Sequence, residues 1–404
     1  MNRGLLHLHP YPFERLDRLL AGSRPNPGLT PINLAIGEPQ DATPSFLHDE
    51  LRNHLHLTAR YPATRGQDDI REAAAQWLER RYGLPAGAVD PGSQVLPVSG
   101  TREALFAFAQ AMVSGRRAVV GMPNPFYQIY EGAALLTGAR PVHVAIAPEP
   151  GLPDLDQVTD EQWRRMQVFY LNTPCNPTGA VADAVYFERL FSLADHHGFV
   201  VAVDECYADI YADEERPPPG ALQACLERGR PSFENVLVFH SLSKRSSAPG
   251  LRSGFVAGDP GLISAFLRYR TYQGCAMPLH VQAASAAAWR DQRHARRARE
   301  RYRARLEHGA RRLRDVLAGV EHPDAGFYLW PRVPMADEAF AQRLWEQQAV
   351  RVLPGSYLSR EIDGHDPGAG RVRVALVADD ETTREAVERI RRFVETQSET
   401  GVDP

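Results

Sequence analysis

The stretch VLVFHSLSKRSSAPGLRSG, residues 236–254, decides how this chain is to be read. Val236–His240 is a short β-favouring run. It ends in Ser241-Leu242-Ser243-Lys244, and Arg252 follows eight residues later between glycines. Two hydroxyls, an arginine and a lysine converge there, a set suited to a phosphate monoester beside an aldehyde. Lys244 is also the only lysine among the 46 Lys and Arg residues of the chain. Arginine fills every other basic position, so charge alone does not explain the exception. Lysine differs in that it can lose its proton and become a nucleophilic amine. A sole lysine therefore points to amine chemistry, of which a Schiff base is a common form.

Outward from this stretch, short apolar runs alternate with helical ones. The expected strands are Gln94–Val98, Ala118–Gly121, Pro141–Ile146, Val168–Leu171, Phe199–Val203, Val236–His240 and Gly254–Ala257. Several are apolar on both faces, as buried strands of a mainly parallel sheet are. Helical segments such as Arg102–Val113 and Ala182–His196 separate them, the α/β pattern. Beyond about residue 285 the character changes. An Arg-rich helix is expected over Ala286–Val316, with Tyr302, Leu306, Ala310, Leu313 and Leu317 as its apolar stripe. Strand-like runs at Gly326–Trp330, Ala349–Val352 and Val372–Val377 and a helix Glu381–Thr396 then describe a smaller α+β unit. The expected division is an arm and part of the small domain over 1–45, a large domain over 46–285 and a small domain over 286–404. Residues 1–45 read as proline- and turn-rich with a strand Ile32–Ala35, and the closing SETGVDP reads as frayed.

The chain has 404 residues and a formal net charge of -4, which gives no reason to expect nucleic acid or anionic lipid as a partner. No apolar run approaches the roughly 20 residues that span a bilayer, and the first residues lack a signal-peptide pattern. A cytoplasmic location is the default. Four cysteines without CxxC spacing suggest neither a zinc site nor disulfides, and the histidines form no convincing ligand set. No metal is expected. No GxGxxG follows a strand, against a nicotinamide enzyme.

In a parallel sheet, ligands bind beyond the carboxyl ends of the strands. Ser99-Gly100-Thr101-Arg102 opens a helix after the first expected strand; alone it is as much a plain cap as an anion site. Asn172–Gly179, NTPCNPTG, is a rigid loop presenting Asn176. Asp204 ends a strand, with Tyr207 three residues on; it is either a helix cap or a carboxylate for a protonated ring nitrogen. Tyr127 and Tyr130 are candidates for stacking or for plain core, Arg373 for a ligand contact or an edge-strand surface cation, and Cys175 and Cys206 for small buried filler.

Taken in order, IGEP (36–39), RYPATRGQDDIREA (60–73), SGTREAL (99–105), NPFYQIY (124–130), NTPCNPTG (172–179), VDECYADI (203–210), residues 241–254, GFYLW (326–330) and GRVRVAL (370–376) resemble the class I/II aminotransferases over nearly the whole chain. The resemblance implies the aspartate-aminotransferase-like fold, type I among pyridoxal 5'-phosphate (PLP) enzymes. It has a large domain with a mainly parallel seven-stranded sheet and a smaller α+β domain. Lys244 resembles the Schiff-base lysine, Asp204 the partner of the pyridinium nitrogen, and Tyr207 and Asn176 the groups beside the cofactor's 3-oxygen. Tyr127 resembles the ring stacked on the pyridine. Gly100, Thr101, Arg102, Ser241, Ser243 and Arg252 resemble the phosphate cup. Arg373 resembles the grip on the substrate α-carboxylate, with Gly37 and Asn176 beside it. Tyr61 resembles the tyrosine that reaches the neighbouring subunit's phosphate, which implies a homodimer with shared sites. The implied substrates are amino acids and 2-oxo acids, with glutamate or 2-oxoglutarate as one partner. HPYPFERL, IGEPQDATP and YRTYQGCAMP bring the chain nearest to family members acting on N-succinyl-LL-2,6-diaminopimelate. The far end of such a substrate would meet contacts around Tyr272–Met277. A β-lyase or decarboxylase would share the same cofactor motifs. A cofactor-binding regulator would need a DNA-binding module, and no such pattern precedes SGTREAL.

Overall fold

A computed structural model describes residues 1–115, 117–149 and 151–399. All seven expected strands form, with ends shifted by up to three residues. In chain order, after β1 (Ile32–Asn33), they are β2 (Val95–Val98), β3 (Val119–Asn124), β4 (Arg140–Ala145), β5 (Met166–Asn172), β6 (Val200–Asp204), β7 (Val236–Ser241) and β8 (Gly254–Gly258). β2 to β8 make one sheet in the order β2-β8-β7-β6-β5-β3-β4. Only β8 runs against its neighbours, β2 and β7; the other pairs are parallel. Both faces are covered. Val201 and Val203 of β6 join a core with Trp77, Phe187 and Trp289, while Ala202 joins one with Phe108, Tyr130 and Phe266. Burial of a large apolar side chain stabilises by roughly 1.5–3 kcal/mol. The apolar runs therefore hold the sheet fixed, and their polar ends share one edge.

Four more short strands follow: β9 (Tyr328–Leu329), β10 (Val350–Arg351), β11 (Leu353–Pro354) and β12 (Val372–Ala375). β12 lies between β11 and β9, antiparallel to both. β1 pairs in parallel with β10, Ile32 opposite Val350, so an early segment is built into the late part of the chain. The predicted stripe residues Leu306, Ala310, Leu313 and Leu317 bury there with Leu329, Phe340 and Val374, and Tyr302 packs beside them on Phe327.

Two sequence expectations are corrected. The single helix Ala286–Val316 is two helices, Leu279–Arg290 and Arg293–Leu313. Between them the Asp291 carboxylate accepts from His294 N at 3.0 Å and meets His294 Nδ1 at 2.9 Å. A short acid that satisfies first-turn donors starts a new helix. The break lies where the chain leaves one core for the other. Residues 1–45 also hold a helix, Pro12–Leu20, with proline in its first turn and Leu16 and Leu20 buried. Of the closing SETGVDP, residues 400–404 lie outside the described residues, and the last helix runs to Glu399. Among the described residues no helix is long and apolar enough to cross a membrane.

Candidate active site

The polar ends of β2, β5, β6 and β7 open into a cleft of about 570 Å³, whose far wall comes from residues 11–13, 36–38 and the β9–β12 region. Thr101, Arg102, Tyr127, Asn176, Asp204, Tyr207, Ser241, Ser243, Lys244, Arg252, Gly37 and Arg373 all line it. Gly100 stands directly behind: a Cβ there would lie 2.3 Å from Arg252 Nη2, and its φ is +89°. Only glycine lets the arginine rest against the start of the helix Thr101–Met112. Tyr61 is not in the cleft; it is fully exposed. The Tyr272–Met277 stretch contributes nothing to the cleft within one chain: Tyr272 is exposed and Met277 buried.

Lys244 sits in a one-turn helix, Leu242–Arg245, at the end of β7. Ser241 Oγ accepts from Ser243 N at 3.1 Å and donates to Ser243 Oγ at 2.9 Å, so the two hydroxyls are held as a pair. The Lys244 ammonium donates to the Gly37 carbonyl. Burial lowers its pKa from 10.5 to about 8, against a nearby Cys206; Arg373 and Arg252 assist as smaller influences. Loss of hydration is the largest influence, and the neighbouring arginines add to it.

Asp204 ends β6 and is buried. It caps no α-helix. Its Oδ2 accepts from Tyr130 Oη at 2.7 Å and its Oδ1 from Cys206 N at 3.2 Å. Burial pushes the carboxyl upward, while the Cys206 and Tyr130 donors hold it down. Tyr130, left open between core and site, is both: it stacks on Tyr170 at 4.6 Å and donates to the acid. Its spacing from Tyr127, one helical turn, was the available signal. Cys206 lines the cleft, with its Sγ 3.0 Å from Thr101 Oγ1.

Arg373 is not an edge cation. It lies on the central strand β12 and is buried. Nη1 donates to Asn176 Oδ1 at 3.0 Å and Nη2 to the Ala35 carbonyl at 2.8 Å, while Nε is buried without a partner. Asn176 is fixed in turn, its N–H on Asn172 Oδ1 at 2.7 Å. Tyr207 Oη lies 2.9 Å from Tyr328 Oη. Tyr328 lies in GFYLW, where the sequence alone assigns it no role. A Cβ on Gly37 would fall 1.9 Å from its hydroxyl, so the loop over the cleft requires glycine.

The lowered Lys244 pKa has a consequence for stability. Below pH 8 the amine is charged in both folded and unfolded chains, and the burial penalty stands in full. Between about 8 and 10.5 the folded chain sheds the proton first, so its stability rises with pH until the penalty is gone. The penalty is at most about 3 kcal/mol, and smaller because the side chain borders an open cleft. Lys244→Met should therefore be more stable than the parent at pH 7, with a gap that narrows by pH 10. Urea unfolding of both proteins at the two pH values measures it; a constant gap would contradict the lowered pKa.

A family model described as aminotransferase class I and II matches residues 30–390. An aminotransferase structure from Neisseria meningitidis Z2491 superposes with a TM-score of 0.93 at 44% identity, covering 98% of this chain and 100% of that one. LL-diaminopimelate aminotransferase of Nitratidesulfovibrio vulgaris is 31% identical, covering 96% of this chain and 98% of its own length. The structure of a probable N-succinyldiaminopimelate aminotransferase from Thermus thermophilus matches at 30% identity with a TM-score of 0.82, over 94% of this chain and 99% of that one.

Proposed function

The chain belongs to the class I and II aminotransferases, a PLP-dependent family, and from that premise we propose that it moves an amino group between glutamate or 2-oxoglutarate and N-succinyl-LL-2,6-diaminopimelate. The observation that carries the catalytic part is the sole lysine, placed in the cleft with its amine lowered to about 8.

The cleft suits the cofactor. The Ser241–Ser243 hydroxyl pair, Arg252 against Gly100, and the first N–H groups at Thr101 and Arg102 form an anion cradle. A buried acid pushed upward, Asp204, is favoured by a cation against it. Tyr127 offers a ring face, and Asn176 and Tyr207 offer polar groups nearby. When bound, the cofactor supplies an electron sink for charge developing at the substrate α-carbon.

The chain's own groups do the rest. Arg373 takes the α-carboxylate in two-pronged fashion and orients the bond to be broken. Lys244 Nζ, neutral once it has given up its own proton, would take the α-proton as general base and, carrying it, would serve next as the general acid. Asp204 keeps a proton on the cofactor's ring nitrogen. Tyr207 and Tyr328 exclude water from one side. We assign Tyr61 to the partner's phosphate in a homodimer, and divide the chain into an arm with part of the small domain over 1–45, a large domain over 46–285 and the rest of the small domain over 286–404.

The substrate reading draws on the name of the Thermus protein and on the exposed Arg102, which lines the cleft over the Tyr11 ring at 5.1 Å. A succinylated far end carries carboxylates and no ammonium, and an arginine there favours it. The Nitratidesulfovibrio relative favours a second reading, free LL-diaminopimelate, whose far end also carries an ammonium. Both compounds should be assayed as donors to 2-oxoglutarate, with glutamate as the measured product. The succinylated donor is expected to have a kcat/KM at least about tenfold higher, about 1.4 kcal/mol of discrimination. A ratio near one, or reversed, would reject it as the preferred substrate. Ammonia release without glutamate would reject amino transfer itself.

A further inference from the structure

Residues 35–41 cross the cleft between two groups assigned to the chemistry. The Ala35 carbonyl accepts from Arg373 Nη2 at 2.8 Å, and the Gly37 carbonyl accepts from Lys244. Upstream, the segment is held by backbone bonds: Leu34 N donates to the Arg351 carbonyl at 2.9 Å, and Ala375 N to the Leu34 carbonyl at 2.8 Å. Downstream it is held by one backbone bond, Gln40 N to the Val377 carbonyl at 3.2 Å, and by a side-chain anchor. Arg305, on the helix Arg293–Leu313, grips Asp41 with two parallel bonds, Nη1 to Oδ2 and Nη2 to Oδ1, each 2.9 Å. Its Nε donates to Asp380 Oδ1 at 2.7 Å. The Arg305 and Asp41 side chains are 3% and 9% exposed, whereas Asp380 is 53% exposed.

A buried bidentate pair fixes orientation as well as distance. The segment also has little slack, because Gly37 lies directly against the Tyr328 hydroxyl. We propose that Arg305 is a positioning residue for amino transfer: by gripping Asp41 it fixes residues 35–41, whose carbonyls set Arg373 and Lys244. The inference rests on the roles proposed above for those two residues. Without the grip the segment lifts, Arg373 loses a tether and the Lys244 amine becomes more accessible.

The sole lysine makes this measurable. An amine-acylating reagent applied to the full chain free of cofactor, read by peptide mapping, reports the Lys244 rate separately from the N-terminus. Arg305→Met should raise that rate about threefold or more. In the cofactor-loaded protein it should raise KM for glutamate about tenfold and lower kcat much less, as loosened substrate positioning does. Asp41→Asn removes the same grip from the other side and carries the same expectation should Arg305→Met fail to fold. Asp380→Asn, which touches only the outer half of the cluster, should leave both readouts at parental values. Folded Arg305→Met or Asp41→Asn with parental labelling overturns the proposal. So does an equal change in Asp380→Asn, which would mean general helix packing. Labelling needs no catalysis, so its failure removes the positioning role and leaves the reaction standing. Altered labelling in a chain without transaminase activity does the reverse.

Discussion

Lys244→Ala is expected to bind the cofactor without a covalent bond and to lose transamination by at least about 10⁴-fold. General acid–base catalysis contributes typically about 10²–10⁴-fold, and its upper end sets this size. Loss of the covalent hold adds to it. Cofactor binding should survive, because Ser241, Ser243, Arg252 and Asp204 are untouched and the lysine makes its polar contact with the Gly37 carbonyl. No second lysine exists to substitute. The measurement is single-turnover conversion of glutamate with occupancy followed by absorbance. A variant with cofactor bound that still turns over within tenfold of the parent would place the chemistry elsewhere.

Asp204→Ala is expected to lower kcat by about 10³-fold at full cofactor occupancy. The buried carboxylate is held by Tyr130 and the Cys206 N–H, and burial makes it seek a cation. In its proposed role it would hold a proton on the cofactor's ring nitrogen, and each pKa unit of that hold would be about 1.4 kcal/mol. Three such units, about 4 kcal/mol, correspond to the predicted loss. Asp204→Asn should lose nearly as much, since an amide offers no charge. Rates within tenfold of the parent for both variants would show that the carboxylate does not support the reaction.

Much of this was readable in the chain. Buried parallel strands are continuous apolar runs, so Val168–Leu171 and Val236–His240 declare themselves, and the polar residues at their ends mark the site. Other features depend on partners far away in sequence. Tyr130 acts on Asp204 from 74 residues off, and Tyr207 meets Tyr328 from 121. Arg305 reaches Asp41 across 264 residues, on a helix where it looks like any other arginine. The break at Asp291 was hidden because Ala- and Arg-rich sequence favours helix on both sides. The helix Pro12–Leu20 was masked by surrounding prolines, although proline suits a first turn.

Borohydride reduction of the cofactor-loaded protein, followed by peptide mapping, tests the account at its centre. The chain offers two kinds of primary amine, Lys244 and its N-terminus. The cofactor's mass should appear on the peptide carrying Lys244 and nowhere else. Label on the N-terminal peptide alone, or a protein that takes up no cofactor, would contradict the account.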